Sequence, residues 1–198
     1  VRDANFALIL RAIGRVARLQ QEVDTVAGDR DGDGAGDRVG NGAERVWHEF
    51  ERSLTEVFGQ RLFTVLAYDE TSSRLGRLHS NRLDINPVGG LKRVTQSRWS
   101  DQVLRRGEIF VSSTREDIKA VFSEYETLWS IGCESVLNIP VRRNGVTLGT
   151  MNLLGEAGLY DHADIELAYI FAQLAVAPLE DQVQRIRGLE DPDFMEQV

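Results

Sequence analysis

At 198 residues and 42% apolar, the chain is long enough for one well-packed domain with an extra helix or two, and too short for two full domains to be the default. A net charge of -8 argues against a general nucleic-acid or anionic-membrane binder, because both need a basic surface to replace counterions. No apolar run approaches a membrane span and no signal-peptide pattern is present, so a cytoplasmic location is expected. The one cysteine, Cys133, excludes an internal disulfide and a cysteine-cluster metal site.

From Asp3 to about Val26, Phe6, Ile9, Leu10, Ile13, Val16, Leu19 and Val23 recur at steps of three and four, with Arg11, Arg15, Arg18 and Glu22 between them. This predicts an amphipathic helix whose stripe packs under a sheet or pairs with a second copy. Gly28 to Gly42, GDRDGDGAGDRVGNG, predicts a loop. Asp29, Asp31, Asp33, Gly34 and Asp37 follow the start of a calcium-binding EF-hand loop. The bidentate Glu is replaced by Gly40 and the apolar anchor by Gly36, so the stretch reads as a solvated insertion and no metal is assigned. Ala43 to Phe58 returns to helical spacing through Val46, Trp47, Phe50, Leu54 and Val57, and Gly59 stops it.

Leu62 to Tyr68 and Arg74 to Ser80 predict two strands joined by the turn Asp69 to Ser73. In the connection Asn81 to Ser97, the pair Gly89-Gly90 ahead of Lys92 and Arg93 can cradle an anion in a ligand-covering segment, with an ordinary surface loop as the alternative. Trp99 to Arg106 predicts a short helix, Glu108 to Val111 a strand, and Thr114 to Phe122 a helix capped by Thr114, with Ser123 to Trp129 adding further turns. Val136 to Val141 and Val146 to Leu154 form a hairpin around Asn144-Gly145, the dipeptide that accepts the positive φ angles of a tight turn. Asp161 is expected to cap a long final helix, which Pro178 bends or interrupts.

Strand alternation places Leu137, Ile139, Val141, Met151 and Leu153 on one face of the hairpin. The other face carries Val136, Asn138, Thr150, Asn152 and Leu154, and Thr64, Leu66 and Tyr68 join it if Phe63, Val65 and Ala67 face the helices. Amides and hydroxyls among apolar neighbours suit a ligand-pocket wall, with a half-exposed sheet face as the plain alternative. By the same alternation Arg77 and His79 are expected to point to the mixed face.

Trp99 with Val103-Leu104 and Gly107, Phe110, Glu116-Asp117-Ile118, and above all GCESVLNIPV and LGTMNLL within Leu128 to Leu154, carry a family resemblance. Over roughly Ala43 to Leu179 the chain resembles a GAF domain, a small-molecule sensor module of the same general shape as PAS domains. The resemblance implies an α+β fold: an antiparallel sheet, terminal helices on one face, and on the other a ligand cavity roofed by the helical crossover Leu83 to Trp129. Residues 1–42 then form an N-terminal helix and acidic loop, 43–187 the GAF-like domain and 188–198 a tail. The chain departs from known subgroups. Free methionine sulfoxide reductases of this type use several cysteines, bilin-binding members follow their cysteine with histidine where Glu134 stands here, and the NKFDE-type signature of cyclic-nucleotide binders is not visible.

The expected function is a non-catalytic sensor for a small polar or anionic molecule, with no cofactor. Asn138, Asn152, Thr150, Thr64 and Tyr68 would supply hydrogen bonds, Arg77 or His79 charge, and Trp99 and Trp129 apolar cover. A homodimer through the terminal helices is the expected assembly, and a ligand-free dimerisation scaffold is the competing reading. Catalysis would need Cys133 activated by a nearby cation, with His79 the one histidine placed toward the site. The ligand and the output partner are left open.

Overall fold

The computed structural model describes residues 2–28, 35–187 and 196–197, with side chains described within 5–23, 42–184 and 186–187. The chain divides into two compact units, Val1–Gly59 and Gln60–Val198.

The first unit holds α1 (Arg2–Gly28) and α2 (Ala35–Phe58). Ala12 accepts a hydrogen bond from Ser53 Oγ through its carbonyl at 3.3 Å, and Arg15 Nε donates to Glu49 at 2.6 Å. A Cβ on Gly42 would lie 3.0 Å from Val23. These contacts run in opposite chain directions, so the helices are antiparallel, and small residues at the contacts let them approach closely. The helix begins at Ala35, within the stretch expected to be a loop. Glycine weakens a helix by about 1 kcal/mol relative to alanine, but the absent side chain of Gly42 is what the packing on α1 uses. Of the calcium-loop positions, Asp29, Asp31, Asp33 and Gly34 lie outside the described residues, and Gly36, Asp37 and Gly40 lie in α2.

The second unit is built on β1 (Leu62–Asp69), β2 (Arg74–Ser80), β3 (Leu91–Arg93), β4 (Phe110–Ser112), β5 (Ser135–Arg143) and β6 (Val146–Gly155). They form one antiparallel sheet in the order β4-β5-β6-β1-β2-β3, to which β7 (Glu196–Gln197) adds in parallel beside β3. The β5–β6 turn has Asn144 at φ 52° and Gly145 at φ 82°, the two positive angles that Asn-Gly predicts. Directly paired residues share a face. Val65 lies opposite Met151, Met151 opposite Ile139, and Phe63 opposite Leu153, which lies opposite Leu137; all are fully buried.

Helices α5 (Ile165–Leu174) and α6 (Val176–Arg187) pack on that apolar face. Asp164, not Asp161, caps α5 by accepting from Leu167 N at 3.0 Å. The buried Tyr160 holds the preceding turn, in which Asp161 N bonds the Gly158 carbonyl, so the helix starts later. The final helix breaks at Ala175, because Pro178, in the first turn of α6, has no N–H to return to Leu174. Two ion pairs hold α6 to the sheet: Arg143 with Glu180, and Arg187 Nε with Asp69 at 2.7 Å.

The sheet lies close beneath α6 at Gly149, where a Cβ would overlap the Leu66 carbonyl oxygen and press on Leu179 at 3.0 Å. Gly149→Ala is expected to destabilise the protein by about 2 kcal/mol or more, read as a lower midpoint in chemical denaturation. Burial alone would push the Asp69 carboxyl up, but hydrogen bonds from Ser72 and Arg187 hold it below its ordinary 3.8. Its stabilising contribution is therefore complete above 3.8 and is lost as pH falls further. Asp69→Asn is expected to be less stable than wild type at neutral pH and to show a shallower loss on acidification, measured as melting temperature against pH.

Candidate functional site

The opposite face of the sheet is covered by the segment between β3 and β5. It comprises a π-helical turn at Ser100–Arg105, β4, α3 (Arg115–Val121) and α4 (Tyr125–Ser130). The turn that was expected to be an ordinary helix closes with Arg106 N donating to the Asp101 carbonyl, five residues back. It turns Val103 and Leu104 inward, and both are buried. Its exit is Gly107 at φ 67°, where a Cβ would collide with the Arg142 side chain that donates to the Arg106 carbonyl at 3.0 Å. Strand β4 runs from Phe110 to Ser112, one residue beyond the expected end, because its register is set by Phe110 opposite Asn138.

The outer part of this cover is held by charge and aromatic contacts. Thr114 and Asp117 form a reciprocal cap on α3. The Arg115 guanidinium lies 5.4 Å from the Trp129 ring and Lys119 lies 5.2 Å from Tyr125, while the two rings are 4.8 Å apart. Lys92 on β3 reaches Glu124 at 3.2 Å. Although burial would raise the Glu124 carboxyl, the Lys92 ammonium beside it holds it below its ordinary value.

Underneath, one row crosses the sheet: Phe110 opposite Asn138, Asn138 opposite Asn152, Asn152 opposite Thr64, and Thr64 opposite Ser80. Trp99 Nε1 donates to Asn138 Oδ1 at 3.0 Å, Asn138 Nδ2 donates to Asn152 Oδ1 at 2.7 Å, and Asn152 Nδ2 donates to Thr64 Oγ1 at 3.2 Å. An indole N–H can only donate, so Trp99 dictates which way both amides point. The next row holds Pro140, Thr150 and Leu66, with Tyr68 beyond on β1. Thr150 is fully buried, and its Oγ1 has no hydrogen-bond partner among the described residues; the same holds for Ser112 Oγ, on a residue 4% exposed. Leu62, Leu75, Val103, Leu104, Val136 and Leu154 belong to the buried apolar cluster around these polar groups.

Seven of the nine residues singled out from sequence belong to this face or its cover: Thr64, Tyr68, Asn138, Thr150 and Asn152 on the strands, Trp99 in the relay, and Trp129 half-buried in α4. Trp99 is more than apolar cover, because it begins the hydrogen-bond chain. The remaining two are separated by a bulge. Val65 pairs with His79 but Leu66 pairs with Arg77, leaving Leu78 as the extra residue, so Arg77 and His79 point to opposite faces. The expectation for His79 is corrected accordingly: it shares the face of Val65, with its ring 5.6 Å from that of Phe63. Arg77 lies at the margin and sends Nη1 to the Pro87 carbonyl at 3.2 Å. The anion-cradle reading of Gly89-Gly90 also gives way: Gly89 N donates to the Arg77 carbonyl and the Gly90 carbonyl accepts from Arg77 N, so this backbone extends the sheet.

Ser112 was not singled out, since its membership of this face follows from β4 pairing with β5 and has no local sequence signal. Cys133 is fully buried, and burial pushes its thiol up to about 11, away from the thiolate that nucleophilic chemistry requires.

Removing the centre of the relay leaves both neighbours without their partner. Asn138→Ala is expected to destabilise the protein by about 2–4 kcal/mol, and Trp99→Phe, which vacates a single acceptor, by less through hydrogen bonding; urea denaturation of both variants checks the order.

No protein-family model matches the sequence, and comparison with curated proteins gives no match. Solved structures do match. The GAF domain from an Acinetobacter phosphoenolpyruvate-protein phosphotransferase aligns with a TM-score of 0.56 at 13% identity, covering 93% of this chain and 97% of that one. The GAF domain of A. aeolicus nlh2, in an inactive state, aligns with a TM-score of 0.51 at 12% identity, covering 92% and 99%. A type II free methionine-R-sulfoxide reductase from Thermoplasma acidophilum aligns with a TM-score of 0.55 at 11% identity, covering 72% and 94%. With its sheet order, covered polar face and flanking helices, the chain has the GAF fold.

Proposed function

We propose that the chain is a regulatory domain that binds a small molecule on the covered face of its sheet and performs no chemistry on it. The observation that carries this reading is the Thr150 hydroxyl, fully buried with no hydrogen-bond partner among the described residues, beside the Asn138–Asn152 pair. A buried polar group left unsatisfied costs about 1–3 kcal/mol, so a face evolved only to pack would favour valine there. Two of the similar structures are GAF domains of larger proteins, a phosphotransferase and nlh2, which supports a role as one module of a regulated protein.

The reductase among the similar structures raises catalysis as an alternative, but at 11% identity it speaks for fold alone. The groups that catalysis would have used are unsuited, since Cys133 is a buried thiol with a raised pKa and His79 faces away. A dimerisation scaffold has an observation of its own: Phe6 and Leu10, one turn apart on α1, are 62% and 53% exposed.

Native mass spectrometry of freshly purified protein separates these readings, because it reports a retained molecule and the oligomeric state together. A co-purifying small molecule, released on unfolding, is the expected result. A ligand-free dimer whose melting temperature no metabolite raises would overturn the proposal in favour of the scaffold.

A further inference from the structure

We infer that the ligand of the covered face is an uncharged molecule carrying both a hydrogen-bond acceptor and a donor, such as a lactam or carboxamide, and that Thr150 is its polar anchor. The inference rests on the ligand-binding role proposed above and assigns the chemical class of what is bound.

The polar groups of the floor are all neutral. Along the rows Phe110–Asn138–Asn152–Thr64–Ser80 and Pro140–Thr150–Leu66–Arg77, the one charged side chain is Arg77, at the margin, with its guanidinium directed to Pro87. His79, the other candidate cation, is turned to the opposite face by the bulge. Lys92 on β3 is engaged by Glu124. Burial is the main cause that raises the Tyr68 phenol pKa, with Glu70 and Asp69 raising it and Arg105 lowering it. Burying a charge without a paired countercharge costs far more than burying an amide or hydroxyl that finds a partner.

The hydrogen-bonding capacity that remains defines the complement. In the relay, each amide nitrogen donates one of its two protons, leaving Asn138 Nδ2 and Asn152 Nδ2 with one each among the described residues. The Thr150 hydroxyl can donate and accept, and is buried with neither function met among the described residues. An acceptor facing the amides and a donor or acceptor facing Thr150 would satisfy all three. Val103, Leu104, Val136 and Leu154 belong to the buried apolar cluster around these groups, so an occupant would be apolar apart from the atoms that meet them.

The test uses matched probes differing in charge, nicotinamide against nicotinate and uracil against orotate, with melting temperature and calorimetry as readouts. A neutral member is expected to raise the melting temperature while its carboxylate counterpart does not. Thr150→Val should lower affinity for that probe about tenfold, the equivalent of 1.4 kcal/mol, yet leave the unliganded protein at least as stable as wild type, because it removes an unsatisfied group. Thr150→Ser, which keeps the hydroxyl, should retain binding. A merely structural threonine would not move stability and affinity in opposite directions. Stronger, Thr150-dependent binding of nicotinate or orotate would overturn the assignment of charge while leaving the ligand-binding role intact. Destabilisation of unliganded Thr150→Val would overturn the anchor. Binding of no probe would overturn the ligand class, while a retained molecule in the native mass spectrum would still support the broader role.

Discussion

The contact on which the second unit depends is the pairing of Asn138 with Asn152 across β5 and β6. Two carboxamides on the covered side of a sheet are tolerable when they meet each other and the outer ends of the pair find partners. Asn138 Nδ2 donates to Asn152 Oδ1 at 2.7 Å, and the ends of the pair reach Trp99 on one side and Thr64 on the other. A one-residue slip of either strand would put an amide among the apolar residues beneath α5 and α6. The pair therefore fixes the register of the hairpin, joins it to β1, and positions the π-helical turn above it through Trp99.

The two faces of the sheet obey different rules. Toward the helices, Phe63, Val65, Leu137, Ile139, Met151 and Leu153 make a uniformly apolar layer, and close approach at Gly149 brings α6 near the backbone. Toward the crossover, apolar residues surround neutral polar ones, and the cover is assembled from short pieces held by a capping box, cation–aromatic contacts and the Lys92–Glu124 ion pair. Short elements with partly exposed ties open more readily than a long helix packed on a sheet, which is the property a binding face needs. Strand β1 links the faces, since Tyr68 lies on the covered side and the next residue, Asp69, holds Arg187 at the end of α6.

Much of this was legible from residue pattern. The alternation of Val136, Asn138, Thr150, Asn152 and Leu154 identified the mixed face, and Asn144-Gly145 identified the turn that sets their register, because strand period and turn chemistry are local properties. Thr114 with Asp117 likewise marked the start of α3. The errors share one cause. Arg77 and His79 are two apart and should share a face, yet the bulge at Leu78 separates them, and a bulge is stabilised by the neighbouring strand rather than by its own sequence. Gly42 read as a loop residue because its use, close contact with Val23, exists only once two helices are paired.

The amino-acid sequence by itself determined the order of the main helices and strands, the α+β class and the presence of a polar stripe on one sheet face, since these follow from periodicity and turn residues, whereas β3 lies in a stretch that reads as a connection. Tertiary structure alone decided how the polar groups are used. It joined Trp99 to Asn138 across 39 residues of chain and Asn152 to Thr64 across 88, left the buried Thr150 hydroxyl without a partner among the described residues, and turned His79 away. Hydrogen bonds between residues so far apart in the chain depend on strand order and register, which no local pattern encodes.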